Sequence, residues 1–551
     1  MELNRRDFLK GALATGALAA TGSALAACSP SGGAASGAAS AGSAAGASDV
    51  LTADSYQQMK WSFEIPPEPV ADADIAETIT HDIVVVGAGM AGLCTAVSAA
   101  EQGADVIVFS ASSKPISRGG SNHAIGSKYQ KAKGIDYSPE TAREIVKAEQ
   151  TAGTYLMDKK KWERWINHSG ESIDWTIDHM EKQGLKCCLE PGYYDPDGTI
   201  TVPPASHNFY TDEQPFGALY GAPLEAQAYA DIFTGDFGGE IHYKTVAQYL
   251  IREDDNTGRV SGVVAQREDG SYVKYVANKA VVLATGDFSQ DKDMVAKYCP
   301  MALPFGYGGV YDGSGLKLAL WIGASWQKYT PNAPMLATMG DEVLPCRWWA
   351  EGALTTFPGL LVNKKGVRYS NENCTYGYMP YPQRVQPDGC AFLIWDENWV
   401  QDSAPWQSDR VGGEPRDTQE VYDAIQALFD PNTDWTTTDE YAGFDATMAE
   451  NAVKADTLEE LADGLGLPRE EFLAQVERYN SYCETGLDDE FHKDKRFLLP
   501  VKQPPFYGIK NEPYTLCITG GLNTDIQMHV CDNQNDPIPG LYGVGTVVGD
   551  M

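Results

Sequence analysis

Residues 81–110 read HDIVVVGAGMAGLCTAVSAAEQGADVIVFS. An unbroken apolar run, Ile83-Val84-Val85-Val86, opens the stretch; it is β-branched and short, the pattern of a strand buried on both faces. Gly87-Ala88-Gly89-Met90-Ala91-Gly92 follows at once, and an Ala-rich segment with helical spacing runs on to Ala100. Gly103 stops that helix, and Val106-Ile107-Val108-Phe109 predicts a second strand. Strand, GxGxxG, helix and strand in that order define a βαβ unit whose first turn is shaped for a dinucleotide. The first glycine permits the tight bend, the second lets backbone approach a pyrophosphate, and the third lets helix and strand pack closely. The helix N-terminus adds free N–H groups and partial positive charge. A glycine-rich turn with a packing role alone would explain the glycines but not the order of the elements. An acidic side chain commonly ends the second strand and holds ribose hydroxyls. Here that position, 18 residues beyond Gly92, is Ser110. A hydroxyl bonds ribose without charge assistance, so the adenosine half is expected to be held less tightly.

A chain of 551 residues is long enough for two or three domains and a large core. Its 42 basic and 76 acidic residues give a formal charge of −34, which disfavours nucleic acid and anionic membrane surfaces as partners. Any anionic substrate would need a local basic site against that field. Asn4-Arg5-Arg6-Asp7-Phe8-Leu9-Lys10 has the twin-arginine form, followed by a mildly apolar Ala/Gly run from Gly11 to Ala27, short and weakly hydrophobic for a spanning helix. The N-terminus therefore reads as an export signal for a chain that crosses the membrane already folded. Leu25-Ala26-Ala27-Cys28 resembles a lipobox, which makes Cys28 the expected lipidated first residue of an extracytoplasmic, membrane-anchored protein. The alternative is a stray cysteine behind an ordinary cleavage site. Residues 29–79 are the expected flexible tether and lead-in, Ser29 to Ser48 being low-complexity Ser/Gly/Ala. No CxxC or CxxCH occurs among the 11 cysteines, which excludes covalent c-type haem, makes a metal site unexpected and leaves buried thiols as the default.

A second Gly-rich loop, Arg118-Gly119-Gly120-Ser121-Asn122-His123-Ala124-Ile125-Gly126-Ser127, lies near the first turn in sequence. Glu140 to about Met180 predicts helix, and Pro196 to Pro223 is loop-rich and aromatic, suited to lining a site or wrapping the surface. Ile241 to Val246, Gly262 to Ala265 and Ala280 to Ala284 predict strands; the last runs into Thr285-Gly286-Asp287, another strand-to-glycine turn of the ligand-facing kind. Tyr311-Asp312-Gly313-Ser314-Gly315 opens an apolar helix, Leu316 to Ile322. From about Gln327 the character changes, with Trp348, Trp349, Tyr376, Tyr378, Tyr381, Trp395 and Trp399 among prolines. Thr457 to Tyr482 predicts two short helices broken at Gly466-Leu467-Pro468. Gly520-Gly521 and Gly540-Leu541-Tyr542-Gly543-Val544-Gly545-Thr546 return to the strand-turn style of the beginning. The expected architecture is α/β: a Rossmann-like nucleotide-binding domain at 80–326 and 505–551, with an inserted α+β capping domain at 327–504.

Several segments taken together resemble the soluble fumarate reductase and flavocytochrome c flavoproteins, a family that includes urocanate reductases and other exported flavin reductases. They are Val85 to Gly89, Arg118-Gly119-Gly120, Ser172-Ile173-Asp174-Trp175, Val282 to Phe288, Val362 to Glu372, Thr457 to Ala462, Pro505-Phe506-Tyr507, Thr519-Gly520-Gly521 and Gly540-Leu541-Tyr542, in the family's order from about Thr80 onward. The resemblance implies FAD, a mobile cap, and reduction of an activated C=C bond by hydride from flavin N5 while a protein acid supplies the proton. It implies that FAD is held by Gly87 to Gly92, Ser110, Gly119, Gly120, Ser121, Asn122, Gly126, Val246, Thr285, Gly286, Ser314, Gly521, Gly545 and Thr546. With no haem motif or second flavin carrier in the chain, electrons are expected from a separate membrane cytochrome or FMN protein.

The sequence also departs from that family. The usual catalytic arginine position falls on Thr355, and the usual paired histidines fall on Leu516 and Cys517. Ser110, Ser121, Ser314 and Thr546 replace the usual acidic or amide contacts, and relatives carry a substrate-clamping arginine in a segment beyond Met551. Simple dicarboxylates are therefore poor substrates to expect, and an aromatic or polycyclic acceptor suits the aromatic cap better. Arg347, Tyr378 and His123 are the candidate catalytic residues; each also has a structural reading, as a stacked arginine, a packed tyrosine and a hydrogen-bonded loop histidine. Tyr376 and Tyr381 are further acids of the same kind, while Arg368 and Glu372 match the family motif as residues that fix the cap. Two other functions fit the same residues: an FAD-dependent ketosteroid dehydrogenase using tyrosines to abstract protons, and a binding lipoprotein that has lost the flavin.

Overall fold

The computed structural model describes residues 60–117, 122–135, 137–189, 205–212, 221–303, 306–307, 311–329, 332–337, 359–372, 380–403, 426, 429–430, 452–511 and 514–550. β1 (Ile75–Val86), α1 (Met90–Glu101) and β2 (Val106–Phe109) form the expected βαβ unit. Val84, Val85 and Val86 pair with β2 on one edge and with Tyr272–Leu283 on the other, and none is more than 3 % exposed. Neighbours on both edges and packing on both faces leave no place there for a polar side chain. The first half of β1 is mostly exposed and polar instead. Leu93, Ala96 and Val97 press α1 onto the sheet, and the chain leaves the helix through Gly103 at φ +81°.

The parallel strands lie in the order Glu240–His242, β2, β1, Tyr272–Leu283 and Pro537–Gly543, with His529–Cys531 antiparallel beyond the last. Tyr272–Leu283 changes partner along one edge. Tyr272 to Val276 pair antiparallel with Val260–Arg267, and Val281 to Leu283 pair parallel with Leu541 to Gly543. The chain thus leaves this sheet after Leu283 and re-enters it at His529. Ligands of such sheets sit beyond the C-terminal ends of the parallel strands, where Gly87, Ser110, Thr285 and Val544 lie.

A second sheet orders Leu360–Asn363, Ala391–Asp396, Phe506–Asn511 and Ala452–Ala455, all antiparallel. The helices Leu458–Leu465 and Arg469–Thr485 cover it, packing Leu461, Phe472, Val476 and Tyr479 against Leu360, Val362 and Ile394. Gly466 at φ +68° ends the first of these helices and Pro468 precedes the second, at the expected break. Phe506–Asn511, grouped by sequence with the return segment from residue 505, is hydrogen-bonded into this second sheet. Its apolar pattern suits either sheet, and only strand pairing tells them apart.

Two further expectations need correction. Pro139–Ala152 and Lys159–Lys182 are separate helices, because Thr154 and Tyr155 take φ of +52° and +62° and turn the chain between them. The lead-in from Lys60 is part of the folded body rather than tether. Phe63 is buried in the main core, its carbonyl accepts a 2.7 Å hydrogen bond from Trp321 Nε1, and Glu64 pairs with Lys297. Trp61, Phe63 and Ile65 alternate over too few residues before Pro66-Pro67 to show this from sequence.

Beneath the second sheet's helices Arg368 is enclosed by charge. Its guanidinium makes paired hydrogen bonds to Glu372 (2.8 Å each) and to Asp488 (3.1 and 2.9 Å), and lies 5.0 Å from the ring centres of Tyr479 and Phe491. Lys493 Nζ stands 3.4 Å from Glu372, so two cations face two carboxylates, all with fully buried side chains. Arg368 and Glu372 hold the cap together. Removing one member of a buried set strands the others, so Arg368→Leu should lower stability by about 3–5 kcal/mol in denaturant unfolding. A loss within about 1 kcal/mol, as for an exposed pair, would contradict this account.

Candidate functional site

The turn after β1 leaves no room for side chains. Gly87 sits at φ +114°, and a Cβ on it would lie 2.4 Å from the Ala284 carbonyl oxygen. A Cβ on Gly92 would lie 2.0 Å from the Gly87 carbonyl oxygen, so α1 rests directly on the turn. Gly89 caps α1 in extended conformation and, as a glycine, offers the first-turn amides no side-chain acceptor of its own. An N-terminus left open in this way, with its dipole aimed outward, suits a pyrophosphate.

The other strand ends converge on this turn. Ala284 N donates to Val86 O at 2.8 Å, and Val544 N donates to Leu283 O at 3.0 Å. Those bonds bring Thr285-Gly286 and Gly545-Thr546 alongside; a Cβ on Gly545 would come within 3.0 Å of the Ala91 Cβ. Thr285 Oγ1 is buried and has no hydrogen-bond partner among the described residues, a hydroxyl in need of a ligand atom. Ser314 opens the helix Ser314–Trp321 close by, where a Cβ on Gly315 would lie 2.1 Å from Thr285 Oγ1. Tyr311 lays its ring on Gly286, a contact with no counterpart among the residues singled out from sequence. Gly521 is packed against the Val547 carbonyl oxygen, 2.3 Å from where its Cβ would stand.

At the end of β2, Ser110 is 8 % exposed and its hydroxyl lies 2.8 Å from that of Ser112. Ser110 O accepts from Thr245 N at 2.8 Å, which brings Val246, 45 % exposed, next to this hydroxyl pair. An apolar face beside two hydroxyls fits an adenosine. Ser112 escapes a sequence reading because it lies beyond the position that normally carries the acid. A buried, unpartnered hydroxyl, an uncapped helix start and a cradle that any Cβ would fill together fit the dinucleotide group that the resemblance implies.

Asn122, on the strand Asn122–His123, donates from Nδ2 to both oxygens of Glu225 at 2.9 and 3.0 Å. Glu225, on the helix Ala222–Gly235, is 0 % exposed; burial pushes its carboxyl up to about 8, against the lowering effect of Asn122. That shift favours the uncharged, protonated acid at neutral pH. A single acid inside an Ala-rich helix gives no sign in sequence that it is buried. His123 is exposed, with Ser206 Oγ 3.1–3.2 Å from its ring nitrogens. His207, within the stretch read as loop-rich, is buried on the strand Ser206–Tyr210, 2.8 Å from Ser127 Oγ, and burial lowers its pKa. Gly126 follows at φ +80°. Cys28, Gly119, Gly120, Ser121, Arg347 and Tyr378 lie outside the described residues.

The fold and this turn define a flavoprotein of the two-domain, Rossmann type. Residues 82–551 match the family model of the FAD binding domain, and the chain belongs to that family. FAD is its cofactor. Residues 2–22 match the twin-arginine translocation signal, so the chain is an exported FAD-dependent oxidoreductase; among the described residues no helix is long and apolar enough to cross a membrane. It is similar to a vinyl phenol reductase of Lactiplantibacillus plantarum, 28 % identical over 86 % of this chain and 90 % of that one. It is also similar to a digoxin reductase of Eggerthella lenta, 26 % identical over 99 % of this chain and 91 % of that one. Among solved structures, the open conformation of a flavocytochrome c3 fumarate reductase shares the fold, with a TM-score of 0.62 at 22 % identity over 91 % of this chain and 76 % of that one.

Two measurements check this site. Gly92→Val should give protein that folds but purifies without flavin absorbance, since any Cβ displaces α1 from the turn. Glu225 has a folded pKa of about 8 against an ordinary 4.5, so the stability it contributes is complete below pH 4.5 and is lost as pH rises through 8. Glu225→Gln should flatten that decline, which is on the order of 4–5 kcal/mol at most; identical pH–stability curves for variant and wild type would refute it.

Proposed function

We propose that Gly87 to Gly92, Ser110, Gly119, Gly120, Ser121, Asn122, Gly126, Val246, Thr285, Gly286, Ser314, Gly521, Gly545 and Thr546 hold FAD, and that the protein reduces an activated C=C bond of an organic acceptor. The observation that carries the placement of FAD is the orphaned Thr285 hydroxyl beside an uncapped α1. The direction of the chemistry rests on relatives named for the reduction of vinyl phenol and digoxin. Bound FAD would supply a hydride at N5. The chain's part is to bind the acceptor, shield it from water and protonate the carbon next to the one that takes the hydride. Two electrons and two protons then saturate the bond, the electrons coming from a separate membrane cytochrome or FMN protein.

His123 is the candidate proton donor within the described residues, Arg347 and Tyr378 being the others. It is exposed one residue from Asn122, where a proton from solvent reaches it readily. The relatives named for vinyl phenol and digoxin support an aromatic or polycyclic acceptor for this chain. Cys28, behind Leu25-Ala26-Ala27, would anchor the exported protein to the outer face of the membrane through lipid.

Anaerobic oxidation of a reduced viologen, with enoates, vinyl phenols and steroid enones offered in turn, tests the reaction. Acceptor-dependent oxidation by one of these classes is the expected result. Turnover only with a saturated ketosteroid and a dye acceptor would replace reduction with desaturation. His123→Gln should lower kcat by about 100-fold or more if His123 is the donor; an unchanged pH–rate profile would move that role to Arg347 or Tyr378.

A further inference from the structure

Residues 521–524 form the middle of a small ladder. Gln327 N donates to Gly521 O (2.8 Å) and Asn523 N to Ser325 O (2.9 Å) on one side; Leu522 N donates to Val547 O (2.8 Å) and Gly549 N to Leu522 O (2.9 Å) on the other. Beyond it Asp550 is tied down twice. Its carboxylate accepts from Lys328 N at 3.1 Å and from Tyr329 N at 2.8 Å, and its carbonyl accepts from Asp158 N at 3.3 Å.

Into this junction points Lys161, from the first turn of the helix Lys159–Lys182. It is 2 % exposed, and Nζ donates to Gly549 O at 2.6 Å and to Thr524 Oγ1 at 2.9 Å. Burial lowers its pKa, while Asp550 and Asp158 oppose that shift. Burying an ammonium costs several kcal/mol. Here the cation is directed at a backbone carbonyl and a hydroxyl, so what its burial secures is the position of a chain segment. That segment carries Gly545 and Thr546, and Gly545 lies against Ala91 at the start of α1.

We propose that Lys161 is a positioning residue for the flavin site: its ammonium holds the 545–550 backbone so that Gly545 and Thr546 stay against the dinucleotide turn, and FAD binds tightly only while it does. The proposal rests on the assignment of FAD to that turn.

The test uses the full chain stripped of flavin, with FAD affinity read from flavin fluorescence, apoprotein stability from thermal unfolding, and backbone exposure from hydrogen exchange. Lys161→Met should weaken FAD binding by about ten-fold or more, with faster exchange confined to 545–550 and to 521–524. Asp550→Asn, which loosens the same segment from the opposite side, should weaken binding several-fold and carries the test should Lys161→Met fail to fold. Phe472→Leu, which destabilises the cap alone, is the stability control and should keep wild-type affinity. Wild-type FAD affinity in either clamp variant, or a loss equalled by Phe472→Leu, overturns the proposal. If Gly92→Val still loses FAD in that case, only the role of Lys161 falls; if Gly92→Val also binds FAD normally, the placement of FAD falls with it.

Discussion

The approach of three backbone segments at Gly87, Gly92 and Ala284 governs the site. The turn bends under α1, α1 rests on the Gly87 carbonyl, and the end of the central strand rests on the other side of Gly87. At separations this short the constraint is hard-sphere repulsion, which rises far faster than any attraction can offset. The result is an α1 N-terminus held at one height above the sheet, its amides open and its dipole directed outward. Thr285, Ser314, Gly545 and Thr546 matter because the same strands deliver them to that point.

A chain of formal charge −34 receives an anionic cofactor, and the means by which it does so are local. At the turn peptide dipoles supply positive potential, and it acts at a range shorter than the screened field of the surface. Three sets of buried ionisable groups are accommodated in different ways. Arg368 and Lys493 are balanced by Glu372 and Asp488, so the cap core is close to neutral. Glu225 avoids the cost of a buried charge by keeping its proton. Lys161 is compensated by a carbonyl and a hydroxyl and thereby fixes backbone.

The βαβ unit was legible to the residue at β2 and within one residue at the end of α1, because a double-sided apolar strand, two sterically forced glycines and an Ala-rich helix all agree. The break at Gly466-Leu467-Pro468 was legible for the same reason: local residue chemistry decides it. The turn between Ala152 and Lys159 was not, since Thr154 and Tyr155 are ordinary residues forced to positive φ by what surrounds them. Ser112, Tyr311, Glu225 and Lys161 were missed together. None carries a motif of its own, and Tyr311, Glu225 and Lys161 acquire their environments from Gly286, Asn122 and Gly549, 25, 103 and 388 positions away.

Sequence alone determined the export signal, the dinucleotide turn and the alternation of an α/β body with a second unit, because those features are written in residues adjacent in the chain. It also determined the acidity of the whole and the lack of a haem-binding motif. Tertiary structure decided which strands share a sheet, which acid loses its solvent, and which lysine faces the 545–550 segment. Those depend on pairing and burial, and no stretch of contiguous residues carries the energy of a contact made across the fold.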